Sequence, residues 1–253
     1  MKEIQSTKNT IIKERNKLHK RKYREQENRY LLEGFHLVEE AVASSSTVEE
    51  IFLDSRGFKE WGEWATQQAA MCYLVSDEVM KHLSDLPTPQ GMIATVQKVT
   101  ENTMDLTGKW LLLDNVQDPG NVGTMIRTAD AAGFDGVILG EGTADIYSTK
   151  VLRSMQGSQF HLPVFSANLL EVIPKLQANQ VPVYGTELNV DAVTFTQLEK
   201  TNQVALILGN EGQGVTKNIL EVTDKNIYIP IYGKAESLNV GVAAGILMYA
   251  FVQ

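Results

Sequence analysis

Three short stretches of this 253-residue chain place glycine and small polar side chains directly after an apolar run. They are DNVQDPGNVGTMIR at 114–127, LILGNEGQG at 206–214 and IPIYGKAESLNVGVAAG at 229–245. Glycine lets main chain approach a ligand closely and permits positive φ. Asn and Ser supply short, orientable hydrogen-bond groups, or cap the helix that follows. Any one of these loops is ordinary turn chemistry. Three together point to a ligand held against backbone at strand ends, where open parallel sheets collect ligands. The first loop carries something more, because a turn there needs Pro119 and Gly120 but neither Asn121 nor Arg127.

The elements that must position these loops follow from periodicity. From residue 109 the runs KWLLLDNV, GVILG, VPVYGT, VALILGN and NIYIPI read as strands of a sheet covered on both faces. Helical stretches lie between them near 122–132, 148–157, 168–179 and 215–222, with a last one after 238. This predicts an α/β domain over 109–253 with a mostly parallel sheet. Residues 1–98 predict a smaller α/β unit. It begins with a basic helix, enters a second helix through Gly34, and has strands at VEEIFLD, MCYLVS and GMIATVQ with helices at 59–70 and SDEVMKHLSD. Residues 99–108 have little apolar periodicity and read as a linker.

Composition narrows the chemistry. A hydrophobic share of 43% with 21% charged residues is that of an ordinary soluble globular protein. The net charge of −8 hides an asymmetry: residues 1–30 hold ten Lys or Arg against four Glu, so the front is +6 and the remainder −14. A basic front on an acidic body hints at a polyanion partner, or is simply a solvated helix. A lone Cys72 leaves no internal disulfide and fits a reducing cytoplasm. The start of the chain lacks the apolar run of a signal peptide. The apolar stretch 239–253 is shorter than the roughly 20 residues of a membrane span, so no membrane partner is expected. GNEGQG does not match the dinucleotide fingerprint, and no phosphate-binding G-x-x-x-x-G-K-[ST] or G-x-S-x-G nucleophile elbow is present. His19, His36, His82 and His161 are scattered, which disfavours a metal site. Composition and spacing therefore stop at an α/β enzyme or binding domain with a basic arm.

Together the three loops resemble the SpoU/TrmH family of RNA ribose 2′-O-methyltransferases, within the SPOUT superfamily. The first family motif, Asn followed six residues later by Arg, matches Asn121 and Arg127. The second matches LILGNEGQG, and the third matches Ile-Pro-Ile with Ser-Leu-Asn-Val in IYIPIYGKAESLNV. The likeness runs in family order through 109–253, and LLEGFHLVEEAV and PQGMIATV resemble the family's RNA-binding domain, similar to small ribosomal RNA-binding proteins. It implies S-adenosyl-L-methionine as methyl donor, a trefoil knot at the C-terminal end, and a homodimer in which one subunit completes the other's donor pocket. It also implies cofactor contacts at Leu208, Gly209, Asn210, Gly212, Ile229, Pro230 and Leu238.

The catalytic set implied by the resemblance is Arg127, Asn121, Ser237, Asn239 and Glu211. In-line placement of donor and hydroxyl lowers such a barrier by roughly 7–11 kcal/mol. Arginine is a poor base, so Arg127 reads better as a fork on the target phosphate and hydroxyl oxygen. The phosphate, a water or Glu211 then takes the proton. Arg153 is a second candidate for phosphate. The two-domain layout leans toward large-subunit (23S) ribosomal RNA in a single-stranded or looped form, with no DNA partner expected. The alternatives are a transfer RNA ribose methyltransferase, a base-nitrogen methyltransferase of another SPOUT branch, and a non-catalytic RNA-binding or assembly factor.

Overall fold

The computed structural model describes residues 1–44, 46–98, 105–199 and 201–252. The chain divides into two compact units, one of residues 1–100 with 147–153, the other of 101–146 with 154–253. Of the expected linker, residues 99–104 lie outside the described residues, and Leu106 is buried in the core of the second unit beside Trp110 and Leu176.

The first unit runs β1 (Lys2–Ile4), α1 (Thr10–Asn16), α2 (Arg21–Glu27), β2 (Arg29–Glu33), α3 (Phe35–Ala43) and β3 (Val48–Leu53). It continues with α4 (Ser55–Thr66), β4 (Met71–Val75), α5 (Asp77–Leu83) and β5 (Met92–Gln97). Its sheet has the order β1-β4-β3-β5-β2, with β5 antiparallel to both neighbours. The expected basic helix is corrected here. Residues 1–27 form a parallel edge strand and two seven-residue helices joined by a 3₁₀ turn. Asn9 caps α1 through the Ile11 amide, extended Lys20 breaks the run, and left-handed Asn28 ends it. Nor is this segment a free basic surface. Arg15 pairs with Glu50 and Glu27, and Arg29 with Glu49. Buried Arg24 donates to the carbonyls of Leu18 and His19 at 2.7 and 2.8 Å. The exposed cations left are chiefly lysines: Lys2, Lys8, Lys13, Lys20 and Lys22.

The second unit runs β6 (Lys109–Leu113), α6 (Pro119–Ala131), β7 (Gly136–Leu139), α7 (Thr149–Met155), β8 (Val164–Ser166) and α8 (Leu169–Ala178). It continues with β9 (Val183–Thr186), β10 (Val193–Thr194), β11 (Val204–Leu208), α9 (Lys217–Leu220), β12 (Lys225–Tyr228) and α10 (Val240–Ala250). Most of α7 groups with the first unit, where Tyr147 packs on Tyr30 and Thr149 donates to Asp85. The seven strands are all parallel, in the order β10-β12-β9-β11-β6-β7-β8. Every residue of β11 is buried, as a sheet covered on both faces requires. Leu112, Ile138 and Ile207 form the core with Val172, Ile173 and Leu176 of α8. β6, β9, β11 and β12 are neighbours in this sheet, so their C-terminal ends lie side by side.

Candidate active site at the strand ends

The loop after β6 is built to start a helix sharply. Asp118 accepts from the Asn121 amide at 2.8 Å as N-cap of α6, and Pro119 occupies its first turn. Upstream, buried Asp114 accepts from both the amide and the hydroxyl of Thr216, each at 2.6 Å. That contact ties the first loop to the end of the second.

The second loop folds back on itself. Asn210 and Gly214 exchange backbone hydrogen bonds at 2.9 Å, and Asn210 Oδ1 accepts from the amides of Gly212 and Gln213. A Cβ at Gly209 would lie 2.2 Å from the backbone of Gly214 and Val215, so only glycine closes this bend. Asn210 Nδ2 donates to the carbonyl of Asn115 at 2.9 Å.

Glu211 then joins all three loops. Its carboxylate accepts from the amides of Gln117 and Asp118 and from Asn121 Nδ2, at 3.1–3.3 Å. Asn121 Oδ1 in turn accepts from Asn239 Nδ2 at 3.1 Å, while Asn239 Oδ1 caps α10 through the amides of Gly241 and Val242. Burial pushes the Glu211 carboxyl upward, yet the bonds from Asn121 and from the Asp118 and Gln117 amides outweigh it and leave the group below its usual range. Glu211 is thus an ionised clamp.

Beside this relay lies a cavity of about 680 Å³, within the size range of small-molecule sites. Leu208, Gly209, Asn210, Glu211, Gly212, Ile229, Ser237, Leu238 and Asn239 line it. Pro230 follows Ile229 without forming its wall, and Asn121 reaches it only through Glu211 and Asn239. Arg127 is exposed on α6, with no side-chain hydrogen bond or ion pair among the described residues. Six residues at 100° each turn it about 120° away from Asn121 around the helix. Arg153 belongs to the first unit, near Glu33, whose carboxyl burial pushes above its usual range against the opposing bonds from Ser84 and Gln90 and the weaker pull of the Arg153 charge. The sequence reading missed the wall contributed by Thr186, Glu187 and Leu188 after β9. VPVYGT ends like the other strands, but only sheet order shows that β9 stands between β11 and β12.

Residues 109–249 match the model of the SpoU rRNA Methylase family, and residues 9–94 that of the MRM3-like substrate binding domain. The chain belongs to the SpoU family. It is 48% identical over 250 residues to the 23S rRNA (guanosine(2553)-2′-O)-methyltransferase RlmP of Bacillus subtilis, covering 98% of each. Among solved structures it resembles an AdoMet-bound rRNA methyltransferase from Sinorhizobium meliloti, with a TM-score of 0.89, 28% identity, and 98% and 96% of the two chains covered. The SpoU methyltransferase AviRb from Streptomyces viridochromogenes, in complex with AdoMet, matches with a TM-score of 0.88 and 25% identity over 97% of each chain.

Proposed function

We propose that this chain transfers a methyl group from S-adenosylmethionine to a ribose 2′-hydroxyl of 23S ribosomal RNA, at the guanosine that corresponds to the RlmP target. The observation that carries this reading is the Glu211–Asn121–Asn239 relay, which gathers three separate loops around one cavity. The cavity fits the donor in size. Leu208, Ile229 and Leu238 offer apolar wall for an adenine, and the bends at Gly209 and Gly212 expose main chain. Gly209, Asn210 and Gly212 would hold the donor together with these apolar residues. When bound, the donor supplies a methyl group carried on a positively charged sulfur.

The chain's own residues do the rest. Asn121 and Asn239 are fixed by their mutual bond, so Ser237 and Asn239 meet the ribose with little reorganisation. Arg127 grips the target phosphate and stabilises negative charge developing on the hydroxyl oxygen. The proton passes to phosphate or water. Glu211 is already engaged by three donors, so it positions rather than accepts.

Arg127 points away from its own subunit's relay, and a homodimer accounts for that. Along α10, Val242, Ile246 and Tyr249 leave 53, 38 and 56% of their surface exposed, a one-sided apolar stripe. Tyr249 also reaches the Ala131 carbonyl at the end of α6, at 3.5 Å. The α6–α10 face therefore suits a second copy, presenting Arg127 to that copy's pocket. The loops at 209–216 and 229–239 would form the knot of the family, and the B. subtilis relative supports a cytoplasmic, ribosome-directed enzyme. The first unit would hold the RNA. Mapping 2′-O-methyl groups in 23S RNA from cells with and without this gene tests the reading. An unchanged pattern would overturn it.

A further inference from the structure

The cavity wall has a charge bias that binding an adenine does not require. Its side chains include Glu187, Glu211 and Glu236, and no Lys, Arg or His. Glu211 is engaged by three donors, and Glu236 is exposed at the rim. Glu187 differs from both. It is half-buried beside Gly214, where a Cβ would sit 3.6 Å from its Oε2, and its carboxylate has no hydrogen bond or ion pair among the described residues. Folding leaves that negative charge unanswered on a pocket wall.

Donor and product differ most in charge. The methyl group leaves sulfur with its bond to the ribose oxygen forming, sulfur keeps the electron pair, and the hydroxyl proton departs. A sulfonium thereby becomes a neutral thioether of nearly the same shape. Adenine, ribose and the amino-acid end are unchanged, so contacts to those parts cannot tell one from the other. An unpaired carboxylate can, because Coulomb attraction acts across a partly solvated pocket without direct contact.

We propose that Glu187 makes this pocket select the sulfonium donor over its thioether product, and so promotes product release. The inference rests on the donor-pocket reading above. It is tested by calorimetric titration of the full-length protein with S-adenosylmethionine, S-adenosylhomocysteine and the amine analogue sinefungin, at low and high salt. Wild type should bind the two cationic ligands in preference to the thioether, and the preference should shrink as salt rises. Glu187→Gln should weaken both cationic ligands about fivefold, the range of a partly exposed charge pair, with the thioether unaffected. Glu236→Gln, at the rim, should do less. An equal loss for all three ligands would show a contact to their shared part, and no change would show that Glu187 is idle; either overturns the proposal. A melting temperature of Glu187→Gln equal to wild type separates these outcomes from misfolding. Wild type that bound none of the ligands would instead overturn the donor-pocket reading itself.

Discussion

Arg15 and Arg127 both stand on helices, the first in the basic front of the chain and the second in a family motif, and the fold gives them opposite surroundings. In the first unit Arg15 is drawn down onto Glu50, with side chains only 16 and 10% exposed, and Glu50 also accepts from buried Thr95. In the second unit Arg127 stays exposed and uncommitted among the described residues. The same contrast holds for the acids: Glu33 is bonded by Ser84 and the Gln90 amide, while the Glu187 carboxylate has no hydrogen bond or ion pair among the described residues. A paired charge on a sheet face is architecture. An unpaired one on a strand-end pocket or an open helix face is available for chemistry.

The largest expected effect breaks the Arg127 side of this contrast. Arg127→Ala should abolish methyl transfer while leaving donor affinity within about twofold, because the role proposed for it is to hold the target phosphate and stabilise charge at the reacting oxygen, and it does not line the donor cavity. Single-turnover assays beside titration would show it, and an active variant would refute the assignment. Arg15→Ala should do the opposite: activity is lost only through unfolding. Leaving Glu50 unpaired in a low-exposure site costs about 3–5 kcal/mol, measurable by urea denaturation.

Asn121→Ala comes next, since it cuts the relay between Glu211 and Asn239. Turnover should fall about a hundredfold, comparable to loss of one fixed hydrogen-bond donor in an active site. Glu211 has a folded pKa below its unfolded value, so its contribution to stability is present above the ordinary carboxylate range. It is lost as pH falls through the lower folded value. The variant should therefore show a weaker acid-side fall in melting temperature than wild type. An identical acid limb would mean that the Asn121 bond does not hold the carboxylate.

The smallest effect sharpens the comparison at the N-terminus. Deleting residues 1–24 cannot isolate a phosphate contact, because the deletion removes β1, α1 and Arg15. Replacing Lys13, Lys20 and Lys22 by Ala breaks no ion pair among the described residues and should change stability by less than about 0.5 kcal/mol. RNA affinity should fall, and the slope of log affinity against log salt should shrink by about 0.7 for each contact to single-stranded RNA. An unchanged slope would assign RNA binding elsewhere.

Much of the second unit was legible because fully buried parallel strands are apolar runs, and because Gly209 and Gly214 leave a trace in any sequence. The first unit was less legible. In place of one basic helix at the front there is an edge strand and two short helices, because a three-residue edge strand has no periodicity and Lys20 breaks the helix through backbone conformation alone. Sequence also could not divide the ten N-terminal cations into structural and free, since their partners Glu49 and Glu50 lie on another strand.

Sequence by itself determined the family, the strand-end loops and the residue types that could meet a donor and a ribose, because those are local: a glycine bend, a cap, a spacing along one helix. Only the tertiary structure decided which side chains are spoken for. Glu211 became a clamp and Asn121 a bridge through hydrogen bonds between loops far apart in the chain, and the Glu187 carboxylate was left without such a bond among the described residues. Such pairings depend on sheet order, which no local pattern encodes.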